Sequence, residues 1–371
     1  MAERLEILAR QADPLANPFL NRRAAEVFGR QLSQLLASPE ATNAGAVASL
    51  RYRHALELLN SGATREAIRG WDDLQAHLTA TGHALSPQQL ALIREHRIIS
   101  WLRLGEQENC LLRHTSESCL LPIRGDGVHQ APEGSRRAIE LLREELRRGR
   151  SPKWAWLLNL AHMTLGEWPD AVPAAFRIPP QRLLDDTGFP RFPEIAARLG
   201  LDLDDAAGSV VMEDFDRDSD LDLMISAWGL RDPLRYFENL GDGRWRERTT
   251  AAGLTGLVGG LNMVQADYDN DGWTDVLVLR GAWLGAQGHH PNSLLRNNGD
   301  GTFSDVTEAA GLLSLHPTQT AAWLDFNGDG WLDLFIGNET VGDDINPCEL
   351  FLSRRDGTFT EIAAASGVAV T

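Results

Sequence analysis

The chain has 371 residues, enough for two domains with separate hydrophobic cores, and a formal net charge of −17. The acidic excess lies in the second half, where residues 190–371 contain 30 Asp and Glu but only 12 Arg. This balance argues against nucleic acid as a partner, because phosphates need a basic protein surface.

The N-terminus, MAERLEILARQADPLANPF, mixes charged residues through its first ten positions and has no continuous apolar core of a signal peptide. No stretch elsewhere is long and apolar enough to span a bilayer. We therefore expect no membrane span. As written, the protein is expected in the cytoplasm, or outside it if a targeting segment is missing from the sequence.

Residues 1–182 are predicted to form a helical domain similar to tetratricopeptide (TPR) repeats. Apolar residues recur with helical period, in pairs, over residues 50–59, 64–78, 88–104, 135–148 and 152–165. Ser86 and Pro87 suit the N-cap and first position of one of these helices. Such hairpins usually present a concave surface to a protein or peptide, although plain helical packing gives the same pattern.

A Cys/His-containing insertion at 105–134 interrupts these helices, and its Gly and Pro content predicts a functional loop. Its candidate transition-metal ligands, together with one residue on the following helix, are Cys110, His114, Cys119, His129 and His162. The spacing matches no standard zinc finger. Two alternatives stay open: buried thiols with ordinary hydrogen-bonded histidines, or a Cys110–Cys119 disulfide in an exported protein, which leaves Cys348 odd.

The second half, residues 189–371, contains three gap-free copies of one acidic motif. The copies start at Asp214, Asp267 and Asp325, and each has Asp or Asn at positions 1, 3 and 5 and Asp at position 9, followed by an apolar run. A hard cation such as calcium takes six to eight oxygen ligands, and alternate positions of a tight turn point at one centre. The motif therefore predicts about three Ca²⁺ ions, one in each loop.

The predicted ligands of the first loop are Asp214, Asp216, Asp218 and Asp222, with the carbonyl of Asp220. Those of the second are Asp267, Asp269, Asp271 and Asp275, with the carbonyl of Trp273. Those of the third are Asp325, Asn327, Asp329 and Asp333, with the carbonyl of Trp331. The second and third loops have a glycine at position 6, and glycine allows the sharp turn. The first loop has Ser219 at this position, so the first loop is expected to be the most strained or the weakest site.

A second series of residues sets the length of the repeat. Phe192, Trp245, Phe303 and Phe359 each precede a glycine by eight positions, and they are spaced by 53, 58 and 56 residues. This is the length of a four-stranded propeller blade. Asp-Gly pairs before three of these aromatics predict hairpin turns, and Phe192 is predicted to lie in a strand of a preceding blade.

Residues 190–371 resemble the FG-GAP/VCBS repeat proteins, a family of calcium-loop propellers that includes integrin α-subunit heads. They resemble more closely its bacterial cartilage-acidic-protein-1-like group, which is associated with ASPIC/UnbV modules. The segments GGLNMVQADYDNDGWTDVLVLRGAW and HPTQTAAWLDFNGDGWLDLFIGNE carry this resemblance. Relatives are also similar in the helical half, at Glu-Asn-Cys, Gly-Val-His and Trp-Leu-Leu-Asn. The resemblance implies a calcium-binding propeller, usually with more blades.

The predicted fold class is therefore α + β multidomain: TPR-like helices followed by three propeller blades. Three blades do not close a ring, since propellers typically have four to eight. A truncated chain or a partner supplying further blades is the favoured expectation. The alternatives are that the helical half covers the sheet edges, or that a homo-oligomer of two chains forms a six-bladed ring.

The sequence is compatible with two functions. The first is a calcium-rigidified scaffold that holds a protein or peptide partner. The second is a copper-, iron- or zinc-dependent oxidoreductase or peptide-modifying enzyme, since imidazoles suit these metals. Its predicted ligands, at the interface of the two domains, are His114, His129, His162, His290 and His316. No Ser/His/Asp set, P-loop or dinucleotide motif supports a hydrolase or a nucleotide-binding protein.

Overall fold

The computed structural model describes residues 1–110, 115, 117–118, 120–183, 192–193 and 195–371, except for the side chain of Cys110. The chain divides into two compact units, one of Met1–Phe19 with Ile195–Thr371 and the other of Leu20–Glu194. The sequence had assigned residues 1–182 to the helical domain, whereas the first 19 residues group with the sheets. Among the described residues, no helix combines the length and apolar character needed to cross a membrane.

The unit Leu20–Glu194 is helical, as the apolar period predicts. Its main helices are α2 (Asn21–Leu36), α3 (Ala44–Asn60), α4 (Thr64–Thr81), α5 (Pro87–Cys110), α6 (Glu133–Arg148) and α7 (Pro152–Thr164). Each packs against the next along the chain. The predicted start of α5 is confirmed: Ser86 Oγ accepts a hydrogen bond from the Gln89 amide (3.2 Å), and Gln89 Oε1 accepts one from the Ser86 amide (2.9 Å).

The predicted loop at 105–134 begins later than expected, because α5 continues to Cys110. Gly105 does not end the helix but allows α5 and α6 to pack closely. A Cβ atom added at Gly134 would lie 2.4 Å from the backbone nitrogen of Gly105. The two glycines therefore allow the backbones of the two helices to approach closely. The sequence pattern alone does not distinguish a glycine in this role from one that ends a helix.

Two hydrophobic clusters form the core of this unit. One surrounds Trp71, which is fully buried and donates an indole hydrogen bond of 3.0 Å to Ser100 Oγ. The other surrounds Leu142 and Leu158, which are also fully buried.

The unit containing Ile195–Thr371 has three separate four-stranded antiparallel sheets, and in each the strands follow chain order. Sheet 1 contains β1 (Ala207–Glu213), β2 (Asp222–Ala227), β3 (Arg235–Asn239) and β4 (Trp245–Glu247). Sheet 2 contains β5 (Asn262–Ala266), β6 (Asp275–Leu279), β7 (Ser293–Asn297) and β8 (Phe303–Asp305). Sheet 3 contains β9 (Thr318–Leu324), β10 (Asp333–Asn338), β11 (Glu349–Ser353) and β12 (Phe359–Glu361).

The Asp-Gly hairpins are found where the sequence predicts them, between the third and fourth strands of each sheet. Their glycines at 243, 301 and 357 adopt φ values of 79°, 80° and 80°, a region that side chains disfavour. The predicted strand at Phe192 is wrong, however. Phe192 lies outside the strands and is 84% exposed, since the ladder of sheet 1 begins only at Ala207.

Successive sheets pack face to face around two hydrophobic clusters. Between sheets 1 and 2 the rings of Phe215 and Phe303 meet edge-on, with centroids 5.5 Å apart. Between sheets 2 and 3, Tyr268 packs against Trp323 at 5.9 Å and Phe359 at 5.8 Å. Burial of these aromatics contributes to the stability of the stack of sheets.

The N-terminal helix α1 (Ala2–Gln11) packs on this stack, and two short helices, α8 (Ala196–Leu199) and α9 (Ala363–Ser366), complete it. Leu5 of α1 is 4% exposed in the cluster between sheets 1 and 2. An ion pair of 2.8 Å also joins Arg4 to Glu308. The buried leucine explains why the first residues belong with the sheets.

Candidate metal sites in the repeat loops

The three acidic loops each connect the first strand of a sheet to the second, and they share one hydrogen-bond pattern. The carboxylate at position 1 accepts the backbone amide of position 6: Ser219 for Asp214 (3.0 Å), Gly272 for Asp267 (2.9 Å) and Gly330 for Asp325 (2.8 Å). The carboxylate at position 5 accepts the amide of position 7, at 2.8–2.9 Å. These bonds hold alternate side chains on one side of each loop.

Carboxylates converge in the first two loops. In loop 1, ligand oxygens of Asp214, Asp216 and Asp218 all lie within 4.8 Å of one another, and in loop 2 those of Asp267, Asp269 and Asp275 do the same. Within the part of the chain that the structure describes, these are the groups of three or more His, Cys, Asp or Glu side chains with that geometry.

One oxygen of the second group is buried without a hydrogen-bond partner. Asp267 Oδ1 has essentially no solvent contact and no donor within reach. A buried carboxylate oxygen left unpaired costs free energy unless a cation or donor meets it. An all-oxygen set of this kind fits a hard cation such as calcium.

The aspartates at position 9 have a bonding role that the sequence did not reveal. Asp222, Asp275 and Asp333 are 0–1% exposed. In each case Oδ1 accepts a 2.8 Å hydrogen bond from a backbone amide of the third strand, donated by Asn239, Asn297 or Ser353. Each aspartate thus ties the loop to two strands of its sheet, and Asp275 is also in the convergent group of loop 2.

Burial and mutual repulsion raise the pKa values of carboxyl groups in loops 1 and 2. Burial raises the pKa of Asp222 to about 6 and that of Asp275 to about 8. The pKa of Asp216 is raised mainly by burial and secondly by repulsion from the carboxylate of Asp218. The pKa of Asp269 is raised mainly by burial and secondly by repulsion from the carboxylate of Asp271. Loops 1 and 2 therefore favour either a proton or another positive charge among their carboxylates.

Loop 1 carries the backbone strain that its sequence predicts. Ser219 adopts φ of +76°, close to the values of +87° and +85° at the equivalent Gly272 and Gly330. A side chain in this region costs about 1–2 kcal/mol, since Cβ crowds the following carbonyl. Whether this weakens ion binding stays a prediction.

Loop 3 differs from loops 1 and 2 because an arginine side chain forms an ion pair with one of its carboxylates. The Arg355 guanidinium donates to Asp329 Oδ2 at 2.8 Å and 3.2 Å. The Trp331 amide, and then this arginine, lower the pKa of Asp329. No sequence signal pointed to this ion pair, since Arg355 lies in the hairpin of β11 and β12.

Neighbouring loops also touch each other, a further feature missed from the sequence. The Arg217 guanidinium of loop 1 lies over the Trp273 ring of loop 2, 4.2 Å from its centroid. Asn270 of loop 2 donates to the Gly330 carbonyl of loop 3 at 3.3 Å. Each loop therefore contacts the next one along the chain. The proposed carbonyl ligands at Asp220, Trp273 and Trp331 stay predictions.

The candidate histidines of the helical unit have ordinary polar neighbours. His162 is 2% exposed, with Nδ1 3.1 Å from Glu167 Oε2. Nδ1 of His129 lies 3.3 Å from Ser135 Oγ. Burial lowers the pKa of both histidines. His114, Cys119 and the Cys110 side chain, and with them the predicted disulfide, lie outside the described residues.

The candidate histidines of the sheet unit lie in loops. His290 is 6% exposed, and burial lowers its pKa to about 4. Nδ1 of His316 lies 2.8 Å from Asn346 Oδ1. Among the described residues no histidine enters a convergent group of three potential metal ligands. The transition-metal role of these histidines stays a prediction.

A cleft of about 340 Å³ opens beside loops 2 and 3. Its walls include the loop carboxylates Asp269 and Asp271, the Trp331 side chain, and the arginines Arg296 and Arg355. Aromatic and arginine side chains are the residues that contribute most to protein interfaces. The candidate ion sites of loops 2 and 3 thus border this cleft.

Comparison with known protein families places these loops within a recognised repeat. Residues 214–278 and 282–336 match the FG-GAP-like repeat, so the chain contains two such repeats. All three acidic loops fall within the matched segments, the last of which ends inside β10. The search among curated proteins found no match.

Proposed function

We propose that this protein is a calcium-binding propeller-type repeat protein that acts as an interaction scaffold for a protein or peptide. The observation that carries the proposal is the convergence of carboxylates in loops 1 and 2, both of which lie within a segment that matches the FG-GAP-like repeat. The buried, unpaired Asp267 Oδ1 supports a cation at this position. FG-GAP-like repeats suggest an interaction or repeat domain.

Each loop would hold one Ca²⁺ through the side chains at positions 1, 3, 5 and 9. The ion supplies positive charge that the carboxylates otherwise lack, and so fixes the loop on its sheet. In loop 3, Asp325, Asn327, Asp329 and Asp333 would hold the ion after Arg355 leaves Asp329. The three sites are therefore unequal in affinity, because the ion must displace an arginine in loop 3.

The cleft beside loops 2 and 3 is the proposed partner surface of the sheet unit. It combines Trp331 with two arginines, Arg296 and Arg355. Calcium in loop 2 neutralises Asp269 and Asp271 on the same wall, so ion binding changes the charge of the cleft. The helical unit offers a second recess of about 170 Å³, lined by residues that include Tyr52, His83 and Leu92.

Metal analysis and calorimetry test the calcium site. We expect the purified protein to contain calcium, and the calcium-free protein to bind Ca²⁺ with a rise in melting temperature, because a ligand held only by the folded state stabilises it. Asp269→Asn should reduce both effects. The control is Asp300→Asn, whose carboxylate accepts from Thr302 in a hairpin outside the loops.

A melting temperature that is indifferent to Ca²⁺ and to chelator would contradict the calcium site. Stoichiometric copper, iron or zinc without calcium would favour the metal-dependent enzyme instead. The partner is then sought with a peptide library, in calcium and in chelator. Binding that requires calcium and is lost in Asp269→Asn supports the scaffold, whereas peptide binding equal in both buffers contradicts the role of the loops in it.

A further inference from the structure

The residue that follows the first aspartate of each loop is aromatic, and its burial differs between sheets. Phe215 is 1% exposed and Tyr268 is 3% exposed, whereas Phe326 is 42% exposed. Phe215 packs against Phe303 of the next sheet, and Tyr268 packs against Phe359 of the next sheet. Phe326 is thus the equivalent aromatic on the outer face of sheet 3. We call this face, with Phe326 at its centre, the aromatic face.

The first strand of the following sheet also lines each of these joints. Four positions before the loop aspartate, Met263 and Ala321 are 5% and 9% exposed and line the two inter-sheet clusters. The equivalent residue of sheet 1, Val210, is 58% exposed, and Met212 beside it is 54% exposed. We call the surface of Val210 and Met212 the first-strand face.

The backbone register makes these positions equivalent. Val210 pairs with Ile225, just as Met263 pairs with Val278 and Ala321 pairs with Ile336. The side chain at this position therefore has the same place in all three sheets. Each joint inside the chain joins an aromatic face to a first-strand face, and the chain exposes one further face of each kind.

We propose that a second copy of this chain covers both faces, so that the aromatic face of each copy packs on the first-strand face of the other. The occupant follows from the two joints inside the chain, because the first-strand position that Val210 occupies in sheet 1 lines both of these joints, as Met263 and Ala321. Exposed apolar faces of this kind mark protein interfaces. Burial of Phe326 and Val210 would extend an interface that the chain already builds twice.

Two copies of the 371-residue chain contribute six sheets. Propellers typically have four to eight blades, and six is the multiple of three sheets in that range. A two-fold pair makes two identical joints and leaves neither face exposed, whereas an open head-to-tail series would form a filament. This closure rests on the propeller-type arrangement proposed above.

Light scattering coupled to gel filtration tests the pairing with the full chain in calcium buffer. We expect twice the 40.9 kDa mass of the chain. Phe326→Asp and Val210→Asp should each give monomers, because either change places a charge in both joints of the pair. Val341→Asp is the matched control, since Val341 is 47% exposed in the loop between β10 and β11, and it should leave the pair intact.

Mixing the two monomeric variants is the decisive measurement. The Phe326→Asp chain keeps an intact first-strand face, and the Val210→Asp chain keeps an intact aromatic face. Their mixture can form one intact joint, so we expect a heterodimer weaker than the wild-type pair. Variants that had failed to fold would not complement each other, and a shared melting transition checks this directly.

A wild-type monomer at all concentrations, a species larger than two chains, or variants that do not complement would each overturn the proposal. Calcium binding is measured separately on the wild-type chain. A wild-type monomer that binds calcium contradicts only the pairing, and a wild-type pair that binds no calcium contradicts only the calcium scaffold.

Discussion

The side-chain amide of Asn297 donates a 2.8 Å hydrogen bond to the backbone carbonyl of Phe215, although the two residues lie 82 positions apart in neighbouring repeats. The backbone amide of Asn297 also donates to Asp275 Oδ1 at 2.8 Å. Asn297 is 1% exposed. One buried residue therefore joins loop 1 to the buried aspartate of loop 2.

We expect Asn297→Ala to lower the free energy of unfolding by about 1–3 kcal/mol, because the Phe215 carbonyl is left buried without a donor. Urea denaturation measures this. The control is Asn298→Ala, since the exposed Asn298 side chain bonds only to Thr302 and Ser304 across its own hairpin. Equal effects of the two substitutions would contradict the role of the link between repeats.

Ser219→Gly should stabilise the protein by about 1 kcal/mol, because glycine removes the Cβ crowding at φ of +76°. It should also strengthen calcium binding at loop 1. Ser304→Gly is the control, since Ser304 lies in strand β8, where glycine weakens the strand. Thermal unfolding and calorimetry measure both variants. A destabilised Ser219→Gly chain would show that the serine side chain contributes more than its strain costs.

Arg355→Ala should raise the calcium affinity of loop 3 several-fold, because the arginine no longer competes for the Asp329 carboxylate. The neighbouring Arg354→Ala is the control, since the Arg354 side chain bonds to Thr360 instead. Calcium titration by calorimetry measures the affinity of loop 3. If Arg355→Ala binds calcium no better than the control, the ion pair does not limit the calcium affinity of loop 3.

In chelator, the free energy of unfolding should fall as the pH rises from about 4 to about 8. The folded protein holds a proton on Asp275, whose pKa is raised to about 8, whereas the unfolded chain releases it near the ordinary value of 3.8. The folded state then binds more protons than the unfolded one, so a higher pH destabilises it. Saturating calcium should remove this loss, because the ion replaces the proton.

Asp275→Asn isolates this contribution, since the amide keeps an acceptor for the Asn297 amide but does not titrate. Denaturation of both chains in chelator at several pH values gives the difference curve. A difference that stays constant between pH 4 and pH 8 would contradict the raised pKa of Asp275.

The sequence by itself determined the repeat. The positions of the loop acids, the Asp-Gly hairpins and the helices α3 to α7 depend on hydrogen bonds between residues a few positions apart. The bond from the Gly272 amide to Asp267 spans five positions, and the Ser86 cap spans three. Such bonds depend on local backbone geometry, so residue type and spacing predict them.

Only the tertiary structure decided which residues of distant segments meet. Leu5 packs among the strands rather than with the helices, and Arg355 reaches Asp329 across 26 positions. It also decided that Phe326 is exposed while the equivalent Phe215 and Tyr268 are buried. The three residues have the same local sequence pattern. Their burial differs because it depends on the neighbouring sheet, and the repeat pattern contains no information about whether that sheet is present.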